Sequence, residues 1–382
     1  MRRFFTFDNL LLSIWYVLIL LVIYGQARKL EFYFAPFLVA ISFIINSKYT
    51  IKVKSNIIYC ITAFICITII SSLNWFYLLE PQNYNYIQYL CYSICAYLVS
   101  ISAYSIMKQK IIHKDLNFIK LLIVLFFVIG IERFFNFYVK VTSVQDFMQL
   151  NGFYYILMPL PLIFLVCKSK IRITSFVVSA ILCILSAKRS ALISIILIGV
   201  AIFVLTYKRN KMAFIYLGAL FFVLCLCLVD NMEFFERMIK LVERMENISE
   251  DGGSGRLSIV NRFFDKDIND IKQMPELFFG NGFESYSIKY NKTLKASHND
   301  FLEIIYSYGI IGLINLIIFY MLLIRRFLWS IRFKDKKYIL PCYSALMLFI
   351  VYGLVGNNFY FFYLSLPLFM YLGFSEAIYE NC

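Results

Sequence analysis

Apolar runs long enough to cross a bilayer recur along this chain, and their number constrains the fold more than any other feature. In hydrocarbon every backbone polar group needs an internal partner, which restricts each run to a helix. Crossing takes about 17 to 25 residues. Runs of this kind lie at 9–25, 30–46, 57–79, 86–107, 118–138, 152–167, 171–187, 189–207, 212–229, 301–324, 338–356 and 358–377. The expectation is an all-α, polytopic integral membrane protein with about 12 transmembrane helices. With 61% hydrophobic and 16% charged residues, the composition excludes a water-soluble domain.

The positive charges set the sidedness, because Lys and Arg are retained in the cytoplasm. Lys48, Lys52 and Lys54, Lys108 to Lys120, Lys168 to Arg172, Lys208 to Lys211, and Arg325 to Lys337 all fall in alternate loops, on the side of Arg2 and Arg3. The opposite loops around Glu80-Pro81-Gln82, Lys140 to Asn151 and Gly356-Asn357-Asn358 are nearly free of basic residues. The chain therefore reads as multi-pass, with both termini cytoplasmic and Met1 to Arg3 leading into an uncleaved first helix. The same scatter explains why the formal net charge of +14 implies no nucleic-acid partner: a basic groove needs its cations gathered on one face. The ten cysteines lie almost entirely in apolar runs and imply neither a disulfide framework nor a metal site.

Three regions result: residues 1–229 with the first nine spans, an extracytoplasmic loop at 230–300, and residues 301–382 with the last three spans. The loop holds more than half of the chain's acidic residues. Within it, Phe234, Phe235, Met238, Ile239, Val242 and Met245 mark a short amphipathic helix for the membrane surface, and Leu257, Val260, Phe263, Phe264, Ile268 and Ile271 a second.

A few residues stand out chemically. Lys188 and Arg189 occupy an outward-facing turn that should avoid basic residues; they read either as a clamp for an anionic headgroup or diphosphate, or as a snorkelling anchor or ion pair. Arg256 follows Gly252-Gly253-Ser254-Gly255, a turn suited to an anion and equally an ordinary loop entering a helix. His298, one of two histidines, stands where the loop re-enters the membrane. Ser297 to Asp300 fits a capping box, which puts His298 at the first helical position, where the positive helix end keeps an imidazole neutral, as a general base must be. The alternative is an interfacial polar residue. His113, in a Lys-rich loop, reads as solvated surface, and Glu132-Arg133 as lining a chamber or standing at the outer interface. There is no P-loop, HExxH or paired Cys-His spacing, so any donor must arrive already activated, with no metal or cofactor expected.

In order along the chain, Ala187-Lys188-Arg189-Ser190-Ala191, Gly255-Arg256-Leu257, Pro275 to Phe283 with Phe279-Gly280-Asn281-Gly282, His298-Asn299-Asp300-Phe301-Leu302-Glu303, Tyr308-Gly309 and Ile311-Gly312 resemble the bacterial O-antigen polymerase and O-antigen ligase family. The likeness covers Ala187 to Gly312 at motif level and the whole chain in topology. It implies a GT-C-like fold and metal-independent transfer of a glycan from undecaprenyl diphosphate to a sugar hydroxyl. It implies as partners an undecaprenyl-diphosphate-linked donor and acceptor and membrane lipid, places the chain in a bacterial cytoplasmic (inner) membrane, and leaves a chain-length regulator open. Carried over, Arg189 and Arg256 clasp the diphosphate and His298 takes the proton from the attacking hydroxyl. Lys188, Gly255, Gly282, Asn299, Asp300 and Glu303 fall around the substrate. Lys188 departs from the family pattern, where a small polar residue is commoner, so either cation of that pair could be the nearer contact.

The expected activity is polymerisation of lipid-linked repeat units into O-antigen or capsular polysaccharide. A ligase transferring glycan to lipid A-core uses the same chemistry; the short outer loop and the Ile, Phe, Tyr, Lys and Asn bias favour polymerase. A flippase without covalent chemistry predicts ionisable or helix-breaking residues deep in the spans and pseudo-symmetric halves, whereas the unusual charges here gather at the outer face.

Overall fold

The computed structural model describes residues 55–78, 94, 97–108, 111, 116–140, 154–186, 189–207, 256–266, 268–269, 276–283, 285–286, 299–332, 336–356, 359 and 362–380. The expected spans at 9–25, 30–46 and 212–229, and the surface helix at 234–245, lie outside them. Every regular element among the described residues is helical. In chain order these are α1 (Asn56–Leu78), α2 (97–108), α3 (Asn117–Lys140), α4 (Tyr154–Leu157), α5 (Leu160–Val166), α6 (Ser169–Ser186), α7 (Arg189–Tyr207), α8 (Arg256–Asp265), α9 (Glu276–Phe279), α10 (Asp300–Arg332), α11 (Ile339–Val355) and α12 (Phe362–Tyr379). Among the described residues two helices are long and apolar enough to cross a membrane, Asn56–Leu73 and Asp300–Arg332; Tyr154–Val166, Ser190–Leu205 and Ile339–Val355 are shorter apolar helices. The expected set of about twelve crossings is thus met only in part.

Two of the apolar runs are not straight spans. The run at 152–167 breaks at Met158-Pro159, because Pro159 and Pro161 lack the N–H groups that would bond back to the preceding turn. The carbonyl oxygen of Tyr155 instead lies against Gly130 of α3, so close that a Cβ there would stand 2.6 Å from it. From Tyr154 to Leu165 all faces of this run are buried, so it is an inner element and not a lipid-facing one. That fits the rule that broken helices survive in a membrane only where protein surrounds them.

The run at 301–324 departs more sharply. Helix α10 is interrupted at Gly309, with φ 64° and ψ −160°, a region essentially reserved for glycine. The chain doubles back there. The ring of Phe301 stacks on that of Tyr320 with centroids 5.6 Å apart, and a Cβ on Gly312 would lie 2.3 Å from Cβ of Tyr308 and 3.3 Å from Cγ2 of Ile304. In a straight helix residues 301 and 320 would stand roughly 28 Å apart. The first arm, residues 300–308, is about 13 Å long and too short to cross a bilayer; the second, 310–332, reaches about 34 Å and is long enough.

The chain forms two compact units, one of Met1–Leu122, Ser258–Arg326 and Tyr352–Cys382, the other of Ile123–Leu257 and Phe327–Val351. The first is centred on a cluster of rings. Phe64 of α1 stacks with Tyr97 of α2 at 5.8 Å and packs on Phe359 at 4.8 Å, while Phe319 of the second arm and Phe369 of α12 close around Phe359. Helices α2 and α12 run in the same direction at very close approach: Ser100 donates to the carbonyl of Phe369 at 2.7 Å, and a Cβ on Gly373 would fall 2.1 Å from the carbonyl oxygen of Ser100. At their far end Lys108 pairs with Glu380 at 2.9 Å, and the hydroxyl of Tyr104 donates to the same carboxylate.

Helix α1 runs opposite to these. Its start is capped by Ser55, whose Oγ receives the N–H of Ile58 at 3.2 Å and itself donates to Glu376 of α12 at 2.6 Å. Glu376, with a side chain 1% exposed, also takes a two-pronged bond from Arg326 of the second arm, through Nε at 2.8 Å and through Nη2. The guanidinium covers the ring of Tyr379 at 4.6 Å. A buried carboxylate is tolerable here because three donated bonds replace its water.

In the second unit, α5 packs on α6 and α6 on α7. Gly199 of α7 makes room for the ring of Phe176. Helix α3 continues unbroken to Lys140, past Glu132, which is exposed and bonded by Asn136 one turn on.

Apolar side chains face outward along single helix faces. On the second arm Ile314, Ile317, Ile318, Met321 and Ile324 are each 43–63% exposed, and on α7 Ile193, Ile196, Val200 and Val204 repeat the pattern. A water-soluble surface of continuous Ile and Met stripes would be an aggregation liability, whereas lipid tails solvate it without penalty.

Candidate active site on a doubled-back arm

The first arm of α10 begins at a cap that differs from the sequence expectation. Asn299, not Ser297, is the capping residue: its Oδ1 accepts the N–H of Phe301 at 2.9 Å and of Leu302 at 3.3 Å, and its carbonyl accepts from Glu303. Asparagine wins because its side-chain oxygen reaches the free amides directly from the N-cap position. His298 therefore precedes the cap and is not the first helical residue; its own placement lies outside the described residues. Asp300 and Glu303 sit in the first turn, buried to 0% exposure. Acidic groups there are favoured by the amides of the helix start.

The other end of the arm is docked by the Gly280-Asn281-Gly282 turn. The N–H of Asn281 donates to the carbonyl of Tyr306 and that of Gly282 to Ser307, each at 3.0 Å. These are carbonyls that a helix C-terminus leaves without partners. Gly280 has φ 72°, and a Cβ on it would be 2.3 Å from the backbone of Ser307 and Tyr308; Gly282, with φ 97°, is buried. Conversely a Cβ on Gly309 would meet the backbone of Phe278 at 2.5 Å. Two backbones thus interlock with no side chain between them. The N–H of Gly282 is thus used in this dock.

One face of the arm, Leu302 and Tyr306, joins Ile259 and Phe263 of α8 and the ring of Tyr286 in a common apolar cluster. Tyr286 touches Phe263 at 5.9 Å and Tyr306 at 5.1 Å between centroids. Of the residues expected on the inner face of α8, Val260, Phe263 and Ile268 take part, whereas Phe264 is 60% exposed.

Arg256 is the first residue of α8, and Arg189 the first residue of α7. Ser190, next to Arg189, is buried and hydrogen-bonded to the hydroxyl of Tyr154. Lys188, Gly255 and the side chains of Arg189 and Arg256 lie outside the described residues.

Residues 174–317 match the family model of O-antigen ligase. The match encloses Ala187 to Gly312, the stretch that carries all the ordered motifs, and bears out the resemblance to the O-antigen polymerase and ligase family there. Proteins of this family are membrane-embedded, glycosyltransferase-like enzymes that work on lipid-linked glycans. No curated protein matches the chain.

Sequence reasoning missed Asn281, Phe301 and Tyr320. Asn281 was visible only as part of a glycine turn. The pairing of Phe301 with Tyr320 follows from the reversal at Gly309, and no periodicity announces a reversal inside an apolar run.

Proposed function

We propose that the protein polymerises undecaprenyl-diphosphate-linked oligosaccharide repeat units into O-antigen or a capsular polysaccharide, at the outer face of the cytoplasmic membrane. His298 acts as general base, and Arg189 and Arg256 hold the diphosphate. The observation that carries this reading is that Arg189 and Arg256 each open a helix and His298 immediately precedes a capped one, all within the matched segment. Helix starts present free N–H groups and positive potential, the environment an anionic diphosphate requires.

In the reaction the acceptor hydroxyl attacks the anomeric carbon of the donor, a new C–O bond forms, and the bond from that carbon to the diphosphate oxygen breaks. The hydroxyl proton passes to the imidazole of His298. The electron pair of the broken bond remains on undecaprenyl diphosphate, whose growing charge the two guanidinium groups offset. The same reading puts Asp300 and Glu303, in the first turn of the capped helix, on the sugar side of the substrate and Lys188 on the phosphate beside Arg189.

Arg189→Ala, Arg256→Ala and His298→Ala should each yield a membrane-inserted protein that leaves only single repeat units. Long chains surviving in all three variants would remove the assignment. The family description favours a second reading, a ligase that moves finished glycan onto lipid A-core. A lipopolysaccharide gel of a deletion strain separates them: one repeat on the core marks a lost polymerase, and bare core with accumulated lipid-linked polymer a lost ligase.

A further inference from the structure

The first arm of α10 is fastened at both ends, and in the sequence His298 directly precedes the Asn299 cap at one of them. At the C-terminal end the fastening is backbone to backbone, through Asn281 and Gly282 to the carbonyls of Tyr306 and Ser307. Near the N-terminal end it is the Phe301 ring, stacked nearly parallel on Tyr320 with an interplanar angle of 11°. Tyr320 belongs to the second arm and is 8% exposed, so the surface that receives Phe301 is itself fixed by packing. Leu302 and Tyr306 hold one flank against α8, so the α8 contact and the ring stack together hold the arm on two sides.

With the dock at residues 306–307 as pivot, a tilt of roughly 10° displaces the start of the arm, about 10 Å away, by nearly 2 Å. A displacement of about 1 Å in a reacting group is worth on the order of 10²-fold in rate. The stack is thus one of the contacts that fix where the arm begins.

We propose that Phe301 is a positioning residue for glycosyl transfer: stacked on Tyr320, it helps to fix the end of the docked arm that His298 precedes in the sequence. This rests on the role given to His298 above.

The test uses the full-length protein in lipid nanodiscs, with the lipid-linked repeat unit extracted from a polymerisation-deficient strain as substrate. A His113→Gln background leaves His298 as the single histidine, since the chain has two, and its carbethoxylation by diethyl pyrocarbonate then reports the imidazole's surroundings independently of turnover. Phe301→Ala should lower kcat about 10²-fold with KM unchanged and shift the carbethoxylation rate of His298 severalfold, while Phe301→Tyr restores both. A folded Phe301→Ala protein with the parent's kcat and carbethoxylation rate overturns the proposal. Where Phe301→Ala is lost from the membrane, Phe301→Leu is measured with the same expectation and the same overturning result. Parent-level turnover by His298→Ala would instead sink the catalytic reading and this proposal with it, whereas His298-dependent turnover that ignores Phe301 sinks the proposal alone.

Discussion

At the scale of single residues, glycine decides where the candidate site can exist. Gly309 combines a backbone conformation closed to L side chains with a Cβ position 2.5 Å from the backbone of Phe278. Gly309→Ala should therefore cost the strain of such a conformation, about 1–3 kcal/mol, plus whatever is lost when the dock opens. A fall in thermal midpoint of the detergent-solubilised protein measures it. Gly199→Ala is the contrasting case, because the nearest atom is the edge of the Phe176 ring at 3.2 Å, which can yield by a small rotation; the midpoint should barely move. Asn299→Ala removes the two bonds accepted by Oδ1 and should cost about 1 kcal/mol, and Asn299→Ser should recover most of it, since serine caps nearly as well. Midpoints that fail to separate Ala from Ser would count against the capping geometry. The glycines of the Gly280-Asn281-Gly282 and Tyr308-Gly309 fragments were legible in the sequence as turns and motif pieces. That they face each other, backbone on backbone, was not, because nothing local in either fragment names its partner.

At the scale of elements, the charge count expects α1 to run opposite to α2, the second arm of α10 and α12. In the first unit α2 and α12 lie parallel and α1 antiparallel to them, with the Ser55, Arg326 and Glu376 network and the Lys108 and Glu380 pair at one end of the group. Removing one member of the buried pair leaves an uncompensated charge. Arg326→Leu alone should destabilise by roughly 3–5 kcal/mol, and Arg326→Leu with Glu376→Leu by much less. A double-mutant cycle on unfolding midpoints checks this, and additive losses would contradict it. Gly373→Ala should force α2 and α12 apart at a cost of about 1–3 kcal/mol, seen as a lower midpoint. Sequence periodicity located α1, α3, α6, α7, α11 and α12 well, since each is a single apolar run bounded by charge or turn residues. It failed where one run holds two elements. Pro159 inside 152–167 was a readable breaker, whereas the reversal at Gly309 depends on the dock that receives it, a contact with residues some 30 positions earlier.

At the scale of the whole molecule, the exposed isoleucine stripes and long apolar helices suit lipid surroundings, and residues 174–317 are similar to the O-antigen ligase family model. The class of chemistry was legible from an ordered set of short motifs, none specific alone. The acceptor was not, because polymerase and ligase differ in what enters the site and not in the groups that act there. The most direct test of glycosyl transfer is reconstitution: purified protein in liposomes, undecaprenyl-diphosphate-linked repeat units as substrate, EDTA present, products resolved by gel. The account predicts a ladder of polymer in step with released undecaprenyl diphosphate, abolished by His298→Ala. Repeat units that stay single while crossing the bilayer, or that remain untouched by folded protein, would contradict it.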